Sequence, residues 1–208
     1  MHQLLYHWSE WVLTGGYIGI IALMALGSTP VPFPAELVVP PAAFLAAQGR
    51  LSLTGVILAS TLGAYLGAAV MYWLSLWLGR PLVVRFGRFI LFSPKKLDEA
   101  EHWLARYEAG GIFFARLLPG VRHLISIPAG IVRMNFGTFS VTTILGSALS
   151  CSILAYLGVR AQRVAPDLLK DPEGLVHFVR SQSKWLILVV LAFAVLYILS
   201  MWLSKKKS

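Results

Sequence analysis

The chain has 208 residues, of which 57% are hydrophobic and 13% are charged, and its mean hydropathy is +0.72. Soluble domains average about 25% charged residues, so this composition argues against a soluble domain. It predicts an integral membrane protein with roughly four to six segments of about 20 residues each. The net charge of +9 fits the positive-inside rule and contact with anionic headgroups. Nucleic-acid binding is not expected, because no soluble basic module is present.

The sequence gives no sign of a metal, a cofactor or a disulfide. The single cysteine, Cys151, lies in an apolar stretch and can form neither an intramolecular disulfide nor a metal site by itself. The segment from Met1 to Glu10 contains no Lys or Arg, so no cleavable signal peptide is predicted.

Apolar segments and their interruptions predict a single all-α membrane domain with about four transmembrane helices and two re-entrant hairpins. Five prolines between Pro30 and Pro41 forbid one continuous helix. The residues after Glu36 are nevertheless too apolar for an aqueous loop, which favours a hairpin that enters and leaves the same membrane face. The predicted elements are a span at 11–29, hairpin 1 at 30–50, a span at 51–79, an amphipathic interfacial linker at 80–110, hairpin 2 at 111–135, and spans at 138–160 and 184–204.

Glycines add two local predictions. Gly63 and Gly67, in the span 51–79, have the spacing of closely packed membrane helices. Within the linker, Pro94 is predicted to start a helix that Gly110 and Gly111 end.

The two halves of the sequence resemble each other. Each hairpin ends in proline, alanine and a small residue, and the span that follows each hairpin ends in Leu-Gly. This pattern predicts an internal repeat. If the N-terminus is cytoplasmic, the number of predicted spans places the C-terminus in the cytoplasm as well. The two hairpins then enter the membrane from opposite faces, as in inverted-repeat transporters. The small-residue segments are Pro41-Ala42-Ala43 and Pro128-Ala129-Gly130.

Ionisable residues beside the predicted breaks are the candidate site. Arginine persists in a membrane only where it faces protein, water or a bound anion. Arg116 and Arg122 flank Pro119, and their planar guanidiniums suit a phosphate group. Glu36, the only acid in the first hairpin, would pair with them as a proton-linked switch. A purely structural ion pair between the hairpins is the alternative.

Two further residues are auxiliary candidates. His123 has a side chain that titrates near neutral pH, and Arg133 could contact either the substrate or lipid headgroups. The predicted breaks of the hairpins are Pro34, Pro40, Pro41, Pro119, Pro128 and Gly130.

Two consecutive motifs in the second half resemble the signature of the DedA family. They are Phe113-x-x-Arg116-Leu-Leu-Pro119-x-x-Arg122 and Ala129-Gly130-x-x-x-Met134-x-x-x-x-Phe139. That family includes the eukaryotic VTT (SNARE-associated) domain proteins. Pro-x-Pro-x-Pro-x-Glu36 resembles its first re-entrant loop, and the resemblance extends from Gly27 to Arg160. It implies lipid translocation, with roles for Glu36, Arg116 and Arg122. Gly27 stands where many relatives carry an acid, and His123 stands where a threonine is common.

We therefore predict a lipid translocase of the bacterial inner (cytoplasmic) membrane that flips undecaprenyl phosphate for carrier recycling. Two alternatives stay open: a translocase or scramblase of phospholipids such as phosphatidylethanolamine, and a proton-coupled transporter of a small solute. An enzyme is not expected, because the chain has no G-x-S-x-G or H-E-x-x-H motif. Membrane lipids are the expected partners, and a role for protons and a homo-oligomer stay open.

Overall fold

The computed structural model describes residues 2–28, 35–90, 94–118, 121–122 and 124–164. These residues form six α-helices and one 3₁₀ turn, with no strand among them, which confirms the all-α fold class. The predicted span 184–204 lies outside the described residues, as do Pro34, Pro119 and His123. The elements are α1 (His2–Gly27), the 3₁₀ turn Ala35–Leu37, α2 (Val39–Ala47), α3 (Leu53–Ile90), α4 (Pro94–Leu117), α5 (Ser126–Ile131) and α6 (Phe136–Val164).

Two of the described helices are long and apolar enough to cross a membrane. They are Leu53–Leu78 within α3 and Phe136–Val164, and they correspond to the predicted spans 51–79 and 138–160. Large apolar side chains are exposed along both helices, whereas soluble proteins rarely expose so extended an apolar surface. Contact with lipid accounts for these side chains, which are Leu58, Leu62, Leu66 and Val70 on α3 and Val141, Leu145 and Leu149 on α6.

The first predicted span, 11–29, is interrupted. Its helix begins at His2, and the backbone at Gly16 is not helical, with φ 51° and ψ −134°. Glycine adopts a positive φ at little cost, so Gly16 allows the kink. After the kink at Gly16 the helix continues to Gly27, so its unbroken apolar part is shorter than the roughly 20 residues that cross a bilayer unaided.

One predicted helix end is wrong. Helix α4 does not end at Gly110 and Gly111 but passes through both to Leu117, and α3 continues beyond its apolar part Leu53–Leu78 to Ile90. An interior glycine costs a helix only about 1 kcal/mol relative to alanine, which tertiary packing can offset. The stronger stop signal is Pro119, which lacks an N–H and disfavours helical backbone at the residue before it.

Each half of the described chain has a short helix between two long ones. In the first half α1 packs on α3, and in the second half α4 packs on α6. The short helices cross over, because α2 packs on α6 and α5 packs on α3. This exchange is compatible with an internal repeat, whereas the inverted orientation of the halves and the re-entrant hairpins stay predictions.

Glycines permit the close contacts between these helices. A Cβ on Gly67 would collide with the backbone of Ala25 in α1, and Gly63 is equally tight against Ile21. Both contacts are between α1 and α3, as the spacing of these glycines suggests.

The crossed contacts of the short helices also rely on glycine. Gly158 of α6 lies against the backbone of Pro40 in α2, and Gly130 of α5 lies against the backbone of Tyr72 in α3. Each of the segments Pro41-Ala42-Ala43 and Pro128-Ala129-Gly130 therefore contributes a contact with the other half, Ala43 with Gly158 and Gly130 with Tyr72.

Three of the prolines predicted as hairpin breaks lie at the beginnings of helices. Pro40 and Pro41 lie in the first turn of α2, and Pro128 lies in the first turn of α5. The N–H groups of a first turn have no partner within the helix, so proline loses nothing there. Gly130 lies inside α5, where its lack of a side chain serves packing.

Candidate functional site

A narrow pocket brings Arg116 and Arg122 together. Its walls come from α1, α3, α4 and α6 and from the turn after α4. The cavity volume for a water-sized sphere is about 10 Å³, which is room for about one water molecule. The other lining residues are Met24, Ser28, Ala64, Ser147, Ser150 and Cys151.

Arg116 occupies the last turn of α4, and only 3% of its side chain is exposed. Its Nη2 donates a hydrogen bond of 2.8 Å to Ser126 Oγ on α5. Its buried Nε has no hydrogen-bond partner. A Cβ on Gly146 of α6 would lie 2.7 Å from the Cβ of Arg116, so α6 closes tightly over this side chain. A buried charged group with an unused donor is costly, and this suggests a role beyond packing.

Arg122 lies in the turn after α4 and is half-buried. Its backbone N–H donates to Leu118 O over 3.2 Å. It lines the same small pocket as Arg116 and Cys151. Two guanidiniums in one pocket repel each other, and an anion held by both would relieve that repulsion.

Glu36 lies in the 3₁₀ turn Ala35–Leu37 and is half-buried. That turn packs against α1, and Met24 of α1 and Ser28 just after it line the pocket. Glu36 itself is not among the lining residues, and its convergence with the two arginines stays a prediction. Arg133, just after α5, is exposed and has φ 52°, a position that suits the headgroup interpretation.

The pocket lies halfway along the two apolar helices. Tyr72 of α3 stacks on Phe139 at the start of α6, with ring centroids 4.7 Å apart. Ala64, earlier in α3, shares the pocket with Ser147 and Cys151, later in α6, so the two helices are antiparallel. At about 1.5 Å per residue, Ala64 is about 16 Å from the start of α3 and about 20 Å from Trp77. Ser147 is likewise about 16 Å from the start of α6.

The sequence analysis did not single out the polar residues that surround the arginines. These are Ser126, which bonds Arg116, and the pocket residues Ser28, Ser147 and Ser150. A signal was present, because Thr143, Ser147 and Ser150 recur at spacings of four and three and so share one face of α6. Within the described part of the chain, no group of three or more His, Cys, Asp or Glu side chains could hold a metal ion.

Comparison with known proteins identifies the family. The VTT domain matches residues 33–160. The chain is similar to the uncharacterized membrane protein YkoX of Bacillus subtilis, at 34% identity over 160 residues, covering 77% of this chain and 71% of that protein. It is also similar to undecaprenyl phosphate transporter A of Bacillus subtilis, at 35% identity over 150 residues, covering 72% and 74% of the two chains.

The protein of the same name from Staphylococcus aureus is 26% identical over 203 residues, which cover 96% of both chains. No solved structure shows a significant match. The VTT match and the relatives above 30% identity show that this chain belongs to the DedA family of VTT-domain membrane proteins.

Proposed function

We propose that this protein translocates a phosphate-bearing lipid, with undecaprenyl phosphate as the first candidate, between the leaflets of the bacterial cytoplasmic membrane. Two of its relatives are named undecaprenyl phosphate transporter A. The observation that carries the proposal is the shared pocket of Arg116 and Arg122, halfway along two helices long enough to cross a membrane. Buried cations at that depth are expected to serve a transported anion.

The chemistry of the pocket fits a phosphomonoester. Such a group carries a charge of about −1.5 to −2 near neutral pH. Two guanidiniums offset that charge, and the hydroxyls of Ser28, Ser147 and Ser150 are neutral donors in the same lining. Because the pocket has room for about one water molecule, the headgroup enters only when the surrounding helices separate. The isoprenoid tail stays in the hydrocarbon throughout.

Glu36 supplies a switch in this proposal. Without lipid, its carboxylate pairs with Arg116 or Arg122 and closes the site. When phosphate occupies the arginines, Glu36 becomes protonated or turns aside, which would couple transport to protons. The packing of its turn on α1, next to the pocket, supports this role. His123, which follows Arg122 in the sequence, is an auxiliary proton carrier.

The proposed topology has cytoplasmic termini and two hairpins that open to opposite faces. The antiparallel run of α3 and α6, one long helix from each half, supports the opposite orientation of the halves. With pocket walls from both halves, rocking one half against the other would expose the arginines to either leaflet in turn.

Leaflet-resolved transport in reconstituted vesicles tests the proposal. Vesicles with the purified protein should move undecaprenyl phosphate, and a variant carrying Arg116→Gln and Arg122→Gln should not. Arg163→Gln, which removes an exposed arginine at the end of α6, is the matched control and should move lipid at the wild-type rate. Equal movement of phosphatidylethanolamine would indicate a general scramblase. Recovery of a chemically altered lipid would indicate an enzyme, and no lipid movement would refute the proposal.

A further inference from the structure

The guanidinium of Arg116 is held on one side and unbonded on another. Its Nη2 donates to Ser126 Oγ over 2.8 Å, whereas its buried Nε has no partner. Arginine has five N–H donors in a rigid plane. One hydrogen bond to that plane, together with the packing of α6 at Gly146, restricts where the remaining donors point. Because Arg116 lines the pocket, an anion bound there would meet those donors.

We infer that Ser126 is a positioning residue, which orients Arg116 so that its unpaired Nε–H faces a phosphomonoester in the pocket. The inference rests on the proposed function. Ser126 is fully buried and is the first residue of α5. The helix is anchored on α3, because Gly130 lies against the backbone of Tyr72. The hydroxyl is therefore held on a short element that the other half of the chain supports.

The hydrogen bond distinguishes Ser126 from other buried serines. Ser60 on α3 is also fully buried, but its Oγ has no hydrogen-bond partner. Replacing an unsatisfied buried hydroxyl by hydrogen is expected to be neutral or stabilising. Ser60→Ala is thus a control with the same chemical change and the same burial, but without a guanidinium.

The experiment measures ligand affinity with full-length protein in lipid nanodiscs. The probes are undecaprenyl phosphate, the uncharged alcohol undecaprenol, and inorganic phosphate. Wild type, Ser126→Ala and Ser60→Ala are compared, each also in an Arg116→Lys background. Melting temperature is recorded for every variant. Ser126→Cys, which keeps a weak acceptor of similar size, replaces Ser126→Ala if the alanine variant does not fold.

The expected result is selective. Ser126→Ala should weaken undecaprenyl phosphate binding about ten- to a hundredfold, the usual effect of losing one hydrogen bond to a charged group. Undecaprenol binding should be unchanged, and the effect should largely disappear in the Arg116→Lys background, because Ser126 acts through the guanidinium. An equal loss of affinity for inorganic phosphate would mean that the site recognises the phosphate group alone. A loss confined to undecaprenyl phosphate would mean that the lipid-borne phosphate is the ligand.

Other outcomes overturn the inference. Ser126 has no positioning role if Ser126→Ala behaves like Ser60→Ala. A purely structural role follows if undecaprenol affinity falls equally, or if the effects of Ser126→Ala and Arg116→Lys simply add. If wild type binds neither phosphate probe, the proposed function itself fails. If wild type binds them and Ser126→Ala binds them equally well, only this inference fails.

Discussion

The two pocket arginines differ in burial, and Arg122 is the more accessible one. A lysine there would keep the charge but lose the planar pair of donors that grips a phosphate. We expect Arg122→Lys to slow translocation of undecaprenyl phosphate about tenfold or more, the effect of one lost charge-assisted hydrogen bond. The measurement is the transport rate in vesicles at matched folding, with Arg163→Lys as the control. A wild-type rate would show that only a point charge matters at this position.

Glu36 gives a prediction about pH. If its carboxylate must leave the arginines when phosphate binds, glutamine should imitate the protonated side chain. Glu36→Gln is expected to fold and to bind undecaprenyl phosphate, but its turnover should no longer vary with pH as that of wild type does. The measurement is binding and flipping for both proteins from mildly acidic to mildly alkaline pH. Identical pH profiles would leave Glu36 with a structural role only.

Cys151 provides a built-in reporter of the pocket. It is the only cysteine of the chain, and it lines the pocket beside Arg122. Its side chain is 1% exposed, so N-ethylmaleimide reaches the thiol only when the surrounding helices separate, and lipid phosphate bound in the pocket should then shield it. With lipid at about ten times its Kd, the labelling rate should fall about tenfold if only the free protein reacts. Undecaprenol is the control ligand and should not protect. Protection by both lipids would indicate that the tail, not the phosphate, covers the thiol.

At the scale of the elements, close helix contacts carry the bundle. A Cβ on Gly67 would meet the backbone oxygen of Ala25 and the side chain of Ser28, and such overpacking costs about 1 to 3 kcal/mol. We expect Gly67→Ala to lower the melting temperature. At Gly15 a Cβ would have no atom within 4 Å, so Gly15→Ala should leave the melting temperature unchanged or raise it. Equal behaviour of the two variants would contradict the observed packing of α1 on α3.

Some of these elements could be predicted from the sequence, and others could not. The spans 51–79 and 138–160 could be recognised because burial in lipid demands long apolar segments. The kink at Gly16 and the passage of α4 through Gly110 and Gly111 could not. Glycine permits both a bend and a continuous helix, and tertiary packing decides between them.

Some residues of the candidate site could also be predicted from the sequence, and others could not. Arg116 and Arg122 could be found from the sequence because a charge in an apolar segment is too costly to be accidental. Ser126 could not, because a single serine in a membrane helix is cheap and common. The polar face of α6 that contains Ser147 is visible in the sequence, but its proximity to the arginines depends on the packing of α4 on α6 and of α5 on α3 and α4, and no local pattern encodes that packing.

At the scale of the whole molecule, the pocket is enclosed by both halves of the chain. Its walls include Met24 and Ala64 from the first half and Arg116 and Ser147 from the second. Each short helix packs on a long helix of the opposite half. If one half moves as a rigid body, the short helix of the other half that packs on it would move with it. In the proposed function, a movement between the halves would change access to the pocket, as alternating access requires.

The antiparallel arrangement of α3 and α6 also predicts the two faces of the molecule. Arg50 precedes α3 and Arg133 precedes α6, and both are exposed. The start of α6 lies beside Tyr72, near the end of the apolar part Leu53–Leu78 of α3. The two arginines are therefore separated by about 30 Å along α3. In a Cys151→Ser background, we expect Arg50→Cys to react with an impermeant thiol reagent from outside the cell. Arg133→Cys should react only when the reagent reaches the cytoplasmic side. Labelling of both from one side would rule out the proposed membrane orientation of these helices, and with it the midplane position of the arginines.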